Sequence, residues 1–170
     1  ADSTGRRYTF HLRGDAAFLG GRRITARDAR ASILRALAPG SRGGRQWPLL
    51  PIEGAAAYAG GTASDVSGIA VPDDSTIAFT LVEPLNIFPK FLAMPVAAVV
   101  PTPTPADFAQ HPVGSGPWKF VSWSHDDAIV LARNDAYWGG APKSDTLRIR
   151  IIPEALTQAA EYESGRLSVV

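Results

Sequence analysis

Three histidines, two aspartate pairs and one glycine-flanked serine are the residues whose types are suited to chemistry. His11, His111 and His125 are far apart in sequence and lack the i, i+4 or clustered spacing of a metal site. Asp73-Asp74 and Asp126-Asp127 are immediate neighbours, whose carboxylates point apart in a turn, so they suit chain reversal better than acid/base work. Gly114-Ser115-Gly116 lacks the Gly-Lys-Ser/Thr of a phosphate loop and the G-x-S-x-G spacing of a hydrolase elbow, and no histidine stands at motif spacing from Ser115. The absence of cysteine excludes thiolate catalysis, disulfides and cysteine-type zinc sites. No metal and no cofactor are expected, and the pattern is not that of an enzyme. Binding chemistry remains. Trp47, in a loop with Arg42, Arg45 and prolines, is the aromatic least suited to a core and a candidate to face a ligand. Trp118, Trp123 and Trp138 are expected to pack within hairpins and core.

The composition is that of a globular protein, with 45% hydrophobic and 19% charged residues. A chain of 170 residues can bury roughly 70% of its unfolded surface, enough for one domain or somewhat more. Seventeen basic against sixteen acidic residues leave a formal charge of +1, and no basic stripe is long enough for nucleic acid. Arg6-Arg7 and Arg22-Arg23 are isolated pairs expected to be solvated. No apolar run reaches the ~20 residues of a membrane span, so no membrane insertion of this segment is expected. The first residues lack the charged and apolar regions of a signal peptide.

The elements that must position these residues are mixed in type. Arg7 to Arg13 alternates, with Tyr8, Phe10 and Leu12 on one face, and reads as a half-buried strand. Gly14-Asp15 and Gly20-Gly21 break it, and Phe18 between them is expected as a core anchor. Thr25 with Asp28 three residues on reads as a capping-box-like start to a helix over Ala26 to Ala38, stopped by Pro39-Gly40. Ile52 to Ala59 reads as a short helix. Val66 to Val71 and Ser75 to Val82 flank Pro72-Asp73-Asp74 as a hairpin, with Ile77, Phe79 and Leu81 on one face and Thr76, Ala78 and Thr80 on the other. Leu85 to Met94 is expected as a helix packed through Ile87, Phe88, Phe91 and Leu92. Val96 to Val100 reads as a buried strand and Pro101 to Pro105 as an extended surface link. A second hairpin pairs Trp118 to Trp123 with Ala128 to Arg133, Trp118, Phe120 and Ser122 facing one way. Thr146 to Ile152 is expected as a strand with Leu147, Ile149 and Ile151 inward, Ala155 to Ser164 as a helix, and Leu167 to Val170 as the start of another strand. The fold class is α+β or mixed α/β, built from hairpins with packed helices.

Four stretches, in order, resemble the family 5 extracellular solute-binding proteins, the peptide, dipeptide and nickel receptors of bacterial ABC importers. Tyr8-Thr-Phe-His-Leu-Arg13, Phe18, Gly20-Gly21 and Thr25-Ala-Arg-Asp-Ala29 are similar to the family's YTFxLR…F.DG…TAEDV. Val113-Gly-Ser-Gly-Pro-Trp-Lys-Phe120 resembles PVGTGPYKF, and Val130 through Gly140 resembles VLERNPDYWGG. Arg150-Ile-Ile-Pro153 with Glu163-Ser-Gly-Arg-Leu167 resembles RIIPD…L.AGELD. Gly20 and Ser168 stand where the family usually has Asp.

The resemblance implies a lobe of the type II periplasmic-binding-protein fold, incomplete without a second lobe, because family members are longer and close on ligand like a flytrap. Residues 1–110 would form a first-lobe subdomain and 111–170 the central-sheet portion running toward the hinge. It implies capture of an extracytoplasmic solute, a peptide before others, for delivery to an ABC permease, in the periplasm or lipid-anchored outside the cytoplasmic membrane. Arg45, pairing with a ligand carboxylate, Trp47, packing on its apolar part, and the turn of Gly114, Ser115, Gly116 and Trp118 are the residues expected to line the cleft. Two alternatives stand beside it: a ligand-sensing domain of a transcriptional regulator with the same fold, and a serine hydrolase using Ser115 or His111.

Overall fold

The computed structural model describes residues 2–41 and 45–169. The chain divides into two compact units, Ala1–Ser115 and Gly116–Val170.

The first unit is built on a three-stranded antiparallel sheet of β1 (Arg7–His11), β2 (Ile69–Asp73) and β3 (Thr76–Thr80), in the order β1-β3-β2. Tyr8 is buried as its alternation predicts, with its ring 5.5 Å from that of Phe88 and its hydroxyl donating to the Leu85 carbonyl at 2.9 Å. Helix α1 (Ala26–Leu37) starts at the expected capping box and packs Ile33 and Leu37 into the core beside β2 and β3. The one-faced alternation expected for β3 is corrected: Thr76, Ile77, Ala78 and Phe79 are all buried. The strand is paired along both edges, Ile77 and Phe79 join the core that α1 packs against, and Thr76 on the other side is met by His11 Nδ1 at 3.2 Å. Pro72 lies inside β2, tolerated because that strand is an edge.

Helix α2 (Ala55–Ala59) begins later than Ile52 because Gly54 takes a left-handed conformation in front of it, and Ile52 instead bridges to Leu81. Here three backbone segments interlock in a ring of hydrogen bonds. Glu53 N–H donates to Thr80 O at 2.9 Å, Thr80 N–H to Gly68 O at 2.8 Å, and Gly68 N–H to Glu53 O at 2.8 Å.

Prolines shorten the elements between Leu85 and Val100. Helix α3 is only Phe88–Phe91, with Pro89 in its first turn, which leaves Ile87 exposed rather than packed. Phe88 alone of its residues is fully buried. The strand expected over Val96 to Val100 is a 3₁₀ turn at Pro95–Ala97. Pro95 at its first position favours the turn, while Ala97 and Val100 keep the predicted burial. Pro101 is buried and Thr102 N–H bonds to Asp28, so this segment is tied to α1 at its start and becomes a surface link only afterwards.

The second unit is an antiparallel sheet of β4 (Trp118–Ser124), β5 (Ala128–Arg133) and β6 (Thr146–Arg150), in that order, with α4 (Ala155–Glu163) after it. A bulge between Phe120 and Ser122 alters the predicted facing of β4. Trp118, Phe120 and Trp123 pair with Arg133, Leu131 and Ile129, so Trp123 replaces Ser122 on the shared face. Trp123 and Trp138 are half exposed and join no buried core, though Trp123 stacks on His125 within the hairpin and Trp138 lies 5.0 Å from the Tyr137 ring. Leu147 and Ile149 are also exposed, because β6 is the edge of the sheet and α4 buries none of its residues. Residues 167–169 form no strand, and Val170 lies outside the described residues.

Candidate functional site

Arg45 and Trp47 sit on a loop pinned on both sides. Gln46 Nε2 donates to the Ala36 carbonyl at 2.9 Å, satisfying an orphan acceptor at the end of α1, while Pro48 and Leu49 are buried. Trp47 between them is 53% exposed, its ring edge-on to Phe91 at 5.0 Å between centroids. The side chain is therefore oriented by packing yet offers a broad apolar surface. Arg45 is exposed and forms no ion pair with a described residue. Residues 42–44 of the same loop, including Arg42, lie outside the described residues. From Leu50 a shallow hollow of about 350 Å³ runs past Pro51, Val82, Glu83, Pro84 and Leu85.

The 114–118 turn is held through its backbone. Gly114 O, in the first unit, accepts the Leu19 N–H at 2.9 Å. In the second unit, Gly116 O accepts from Asn134 Nδ2 at 3.0 Å and Pro117 O from Asn134 N–H at 2.8 Å. Trp118 opens β4 opposite Arg133. Asn134 is buried, and its Oδ1 accepts the Ala136 N–H at 3.2 Å. Asn134 lies in a stretch that resembles the family but carries no expected role; an Asn followed by Asp just past a strand is the turn signal its sequence offers, and its burial belongs to the fold. No hydrogen bond, ion pair or ring contact joins Arg45 or Trp47 to Gly114 or Ser115 among the described residues of the first unit.

Among the described residues of the first unit, Asp28 is the carboxylate that accepts the most hydrogen bonds. Asp28 is 2% exposed. Its carboxylate accepts a fork from Arg22 at 2.9 and 3.1 Å, the Thr25 N–H at 3.0 Å, the Thr25 hydroxyl at 2.9 Å and the Thr102 N–H at 3.1 Å. Burial alone would raise its pKa, but the hydrogen bonds from Arg22 and Thr25 and the Arg22 charge hold it below the ordinary carboxylate value. Arg22 is half exposed, as expected, and is ion-paired as well; its guanidinium also lies 4.8 Å above the Phe18 ring.

In the second unit a groove of about 640 Å³ runs along β6 and the residues after α4, with Leu147, Ile149, Arg166 and Val169 among its walls. Glu161 accepts from Arg150 and Arg166 beside it, and both hold its carboxyl below the usual range.

The histidines are separate. His11 contacts Thr76 Oγ1 at 3.2 Å, His111 lies 3.2 Å from Asp107, and His125 stacks on Trp123 at 4.3 Å. Among the described residues no His/Cys/Asp/Glu group could hold a metal, Ser115 has no histidine partner, and no helix is long and apolar enough to cross a membrane. What the arrangement offers is apolar packing at Trp47, a cation at Arg45 and a turn with an ordered backbone.

Known proteins share this plan. The chain is similar over 168 residues, at 30% identity, to the dipeptide-binding protein DppE of Bacillus subtilis, covering 94% of this chain and 31% of DppE. The fold matches the Escherichia coli murein tripeptide binding protein MppA with a TM-score of 0.90, at 22% identity, over 98% of this chain and 35% of that one. It matches the substrate-binding domain of an oligopeptide ABC transporter from Bacillus anthracis with a TM-score of 0.86, at 26% identity, over 98% of this chain and 34% of that one. The chain therefore spans about a third of the length of these relatives. The mixed α/β architecture is that of the type II periplasmic binding proteins. Residues 1–170 match the model for the middle region of the bacterial extracellular solute-binding proteins, family 5, and the chain belongs to that family.

Proposed function

We propose that the chain is part of a substrate-binding protein that captures a short peptide outside the cytoplasm and hands it to an ABC permease. The observation that carries this reading is the family match over all 170 residues, joined to 30% identity with a protein named for dipeptide binding. The site chemistry agrees with it. Peptide receptors can use backbone hydrogen bonds and roomy pockets, which call for no nucleophile–base pair and no metal. Trp47 and Arg45 are the ligand-facing residues of the first unit, one packing on apolar peptide groups and the other pairing with a carboxylate. Gly114, Ser115, Gly116 and Trp118 present the turn. The pocket is a half-site in this reading, completed by a second lobe.

Ligand-dependent melting tests it. The intact protein and the 170-residue chain are compared against a panel of di- to pentapeptides and metal chelates. A peptide-dependent shift in the intact protein alone is expected, since a ligand at 100 times its Kd stabilises by about 2.7 kcal/mol. Equal shifts in both would refute the half-site, and a shift with chelates only would refute the peptide.

A further inference from the structure

The Phe18–Arg22 loop contains Gly20 and Gly21, both at positive φ (97° and 87°), so it has little conformational preference of its own. It is nevertheless closed by Phe18 N–H to Arg22 O at 2.8 Å and Gly21 N–H to Phe18 O at 2.9 Å. Its closing residue, Arg22, is forked onto the buried Asp28 and covers the Phe18 ring. From this loop Leu19 N–H reaches Gly114 O at 2.9 Å. Asp28 also holds Thr102 N–H directly, and Ser32, one turn further along α1, takes the Val100 N–H at 2.9 Å. Between Thr102 and Gly114 the described hydrogen bonds are local: Thr104 to Pro101, Phe108 to Pro105, and Gln110 and His111 to Asp107. That span is therefore restrained at its ends, and both restraints lead back to one carboxylate.

We propose that Asp28 and Arg22 are positioning residues for Gly114 and Ser115, the part of this turn in the first unit, setting their approach through the Leu19 to Gly114 bond at one end of residues 102–114 and the Thr102 bond at the other. The inference rests on the reading that this turn faces the peptide. The carboxylate is the fixed point, buried and fully bonded. Arg22, half exposed, is the part that transmits its position to the glycine loop. Asparagine at position 28 keeps the volume and glutamine at position 22 keeps only part of the stem, and each loses the charge-assisted fork.

The test is amide exchange in the intact protein, read at Leu19 and Thr102, in Arg22→Gln, Asp28→Asn and Ile33→Val. The last is a core change in the same helix that lowers overall stability without touching the network. Arg22→Gln should speed exchange at Leu19 by about tenfold and leave Thr102 nearly unchanged, and Asp28→Asn should speed both. Ile33→Val should favour neither site. Trialanine affinity, measured alongside, should weaken about fivefold in Arg22→Gln and stay at the wild-type value in Ile33→Val. Exchange at Leu19 within about twofold of wild type in Arg22→Gln would overturn the restraint. Faster exchange with unchanged trialanine affinity would overturn its role in positioning a ligand turn. A wild-type protein that binds no peptide in the panel would defeat the peptide reading itself and, with it, this role, whatever the exchange shows.

Discussion

Among the described glycines of the first unit at ordinary φ, Gly68 is the one whose replacement with alanine should be most destabilising. A Cβ built on Gly68 would lie 2.6 Å from Thr80 O and 2.8 Å from both Glu53 N and Glu53 O. All three neighbours are backbone, and all three belong to the hydrogen-bonded ring of Glu53, Gly68 and Thr80. None can rotate away as a flexible side chain would. Relieving the contacts means parting the ring by most of an ångström, enough to break two or three bonds worth about 1 kcal/mol each. Alanine recovers about 0.4–1 kcal/mol by restricting the unfolded chain, so the net loss should be about 2 kcal/mol. Gly114→Ala is the internal control, because nothing lies within 4 Å of a Cβ there. Urea unfolding monitored by circular dichroism, with the two variants beside wild type, gives both numbers. A Gly68→Ala loss below about 0.5 kcal/mol, or one no larger than that of Gly114→Ala, would refute the ring as a close-packed joint.

Phe88→Ala should cost about 3–5 kcal/mol in the same assay, since the ring is fully buried between Tyr8 and Phe79. Trp47→Ala should leave urea stability within about 1 kcal/mol because half the side chain is exposed, yet weaken peptide binding by the intact protein about tenfold. Calorimetric titration with a peptide that shifts its melting would check that loss. The pH dependence comes from Asp28, whose folded pKa lies below its reference value of 3.8. Its unfolded form takes the proton first, so its contribution is complete above that value and is lost as pH falls through the lower folded pKa. The stability gap between wild type and Asp28→Asn should thus be constant from about pH 7 to 5 and shrink as the pH falls below the reference value of 3.8. A gap that persists undiminished in acid would contradict the assignment.

Local chemistry was legible in the amino-acid sequence. Thr25 and Asp28, three residues apart, specify a capping box wherever the chain is placed, because both partners lie within one helical turn. The β4–β5 hairpin and the alternation of β1 are equally short-range, and the family stretches around them carried the fold class. Tertiary structure alone decided the rest. Thr76 to Phe79 are all buried because segments distant in sequence, α1 and Phe88 among them, pack against the sheet, which no alternation within Thr76 to Thr80 could express. The bulge that turns Trp123 onto the Phe120 face depends on register against β5. Arg22 is half exposed as its sequence suggests, but its pairing with a buried carboxylate that also holds Thr102, 74 positions further on, arises only in the folded chain. The same holds for Leu19 and Gly114, whose bond defines one end of the candidate turn. A residue's type is a property of the chain, but its burial and its distant partners arise only when segments far apart in sequence exclude water together.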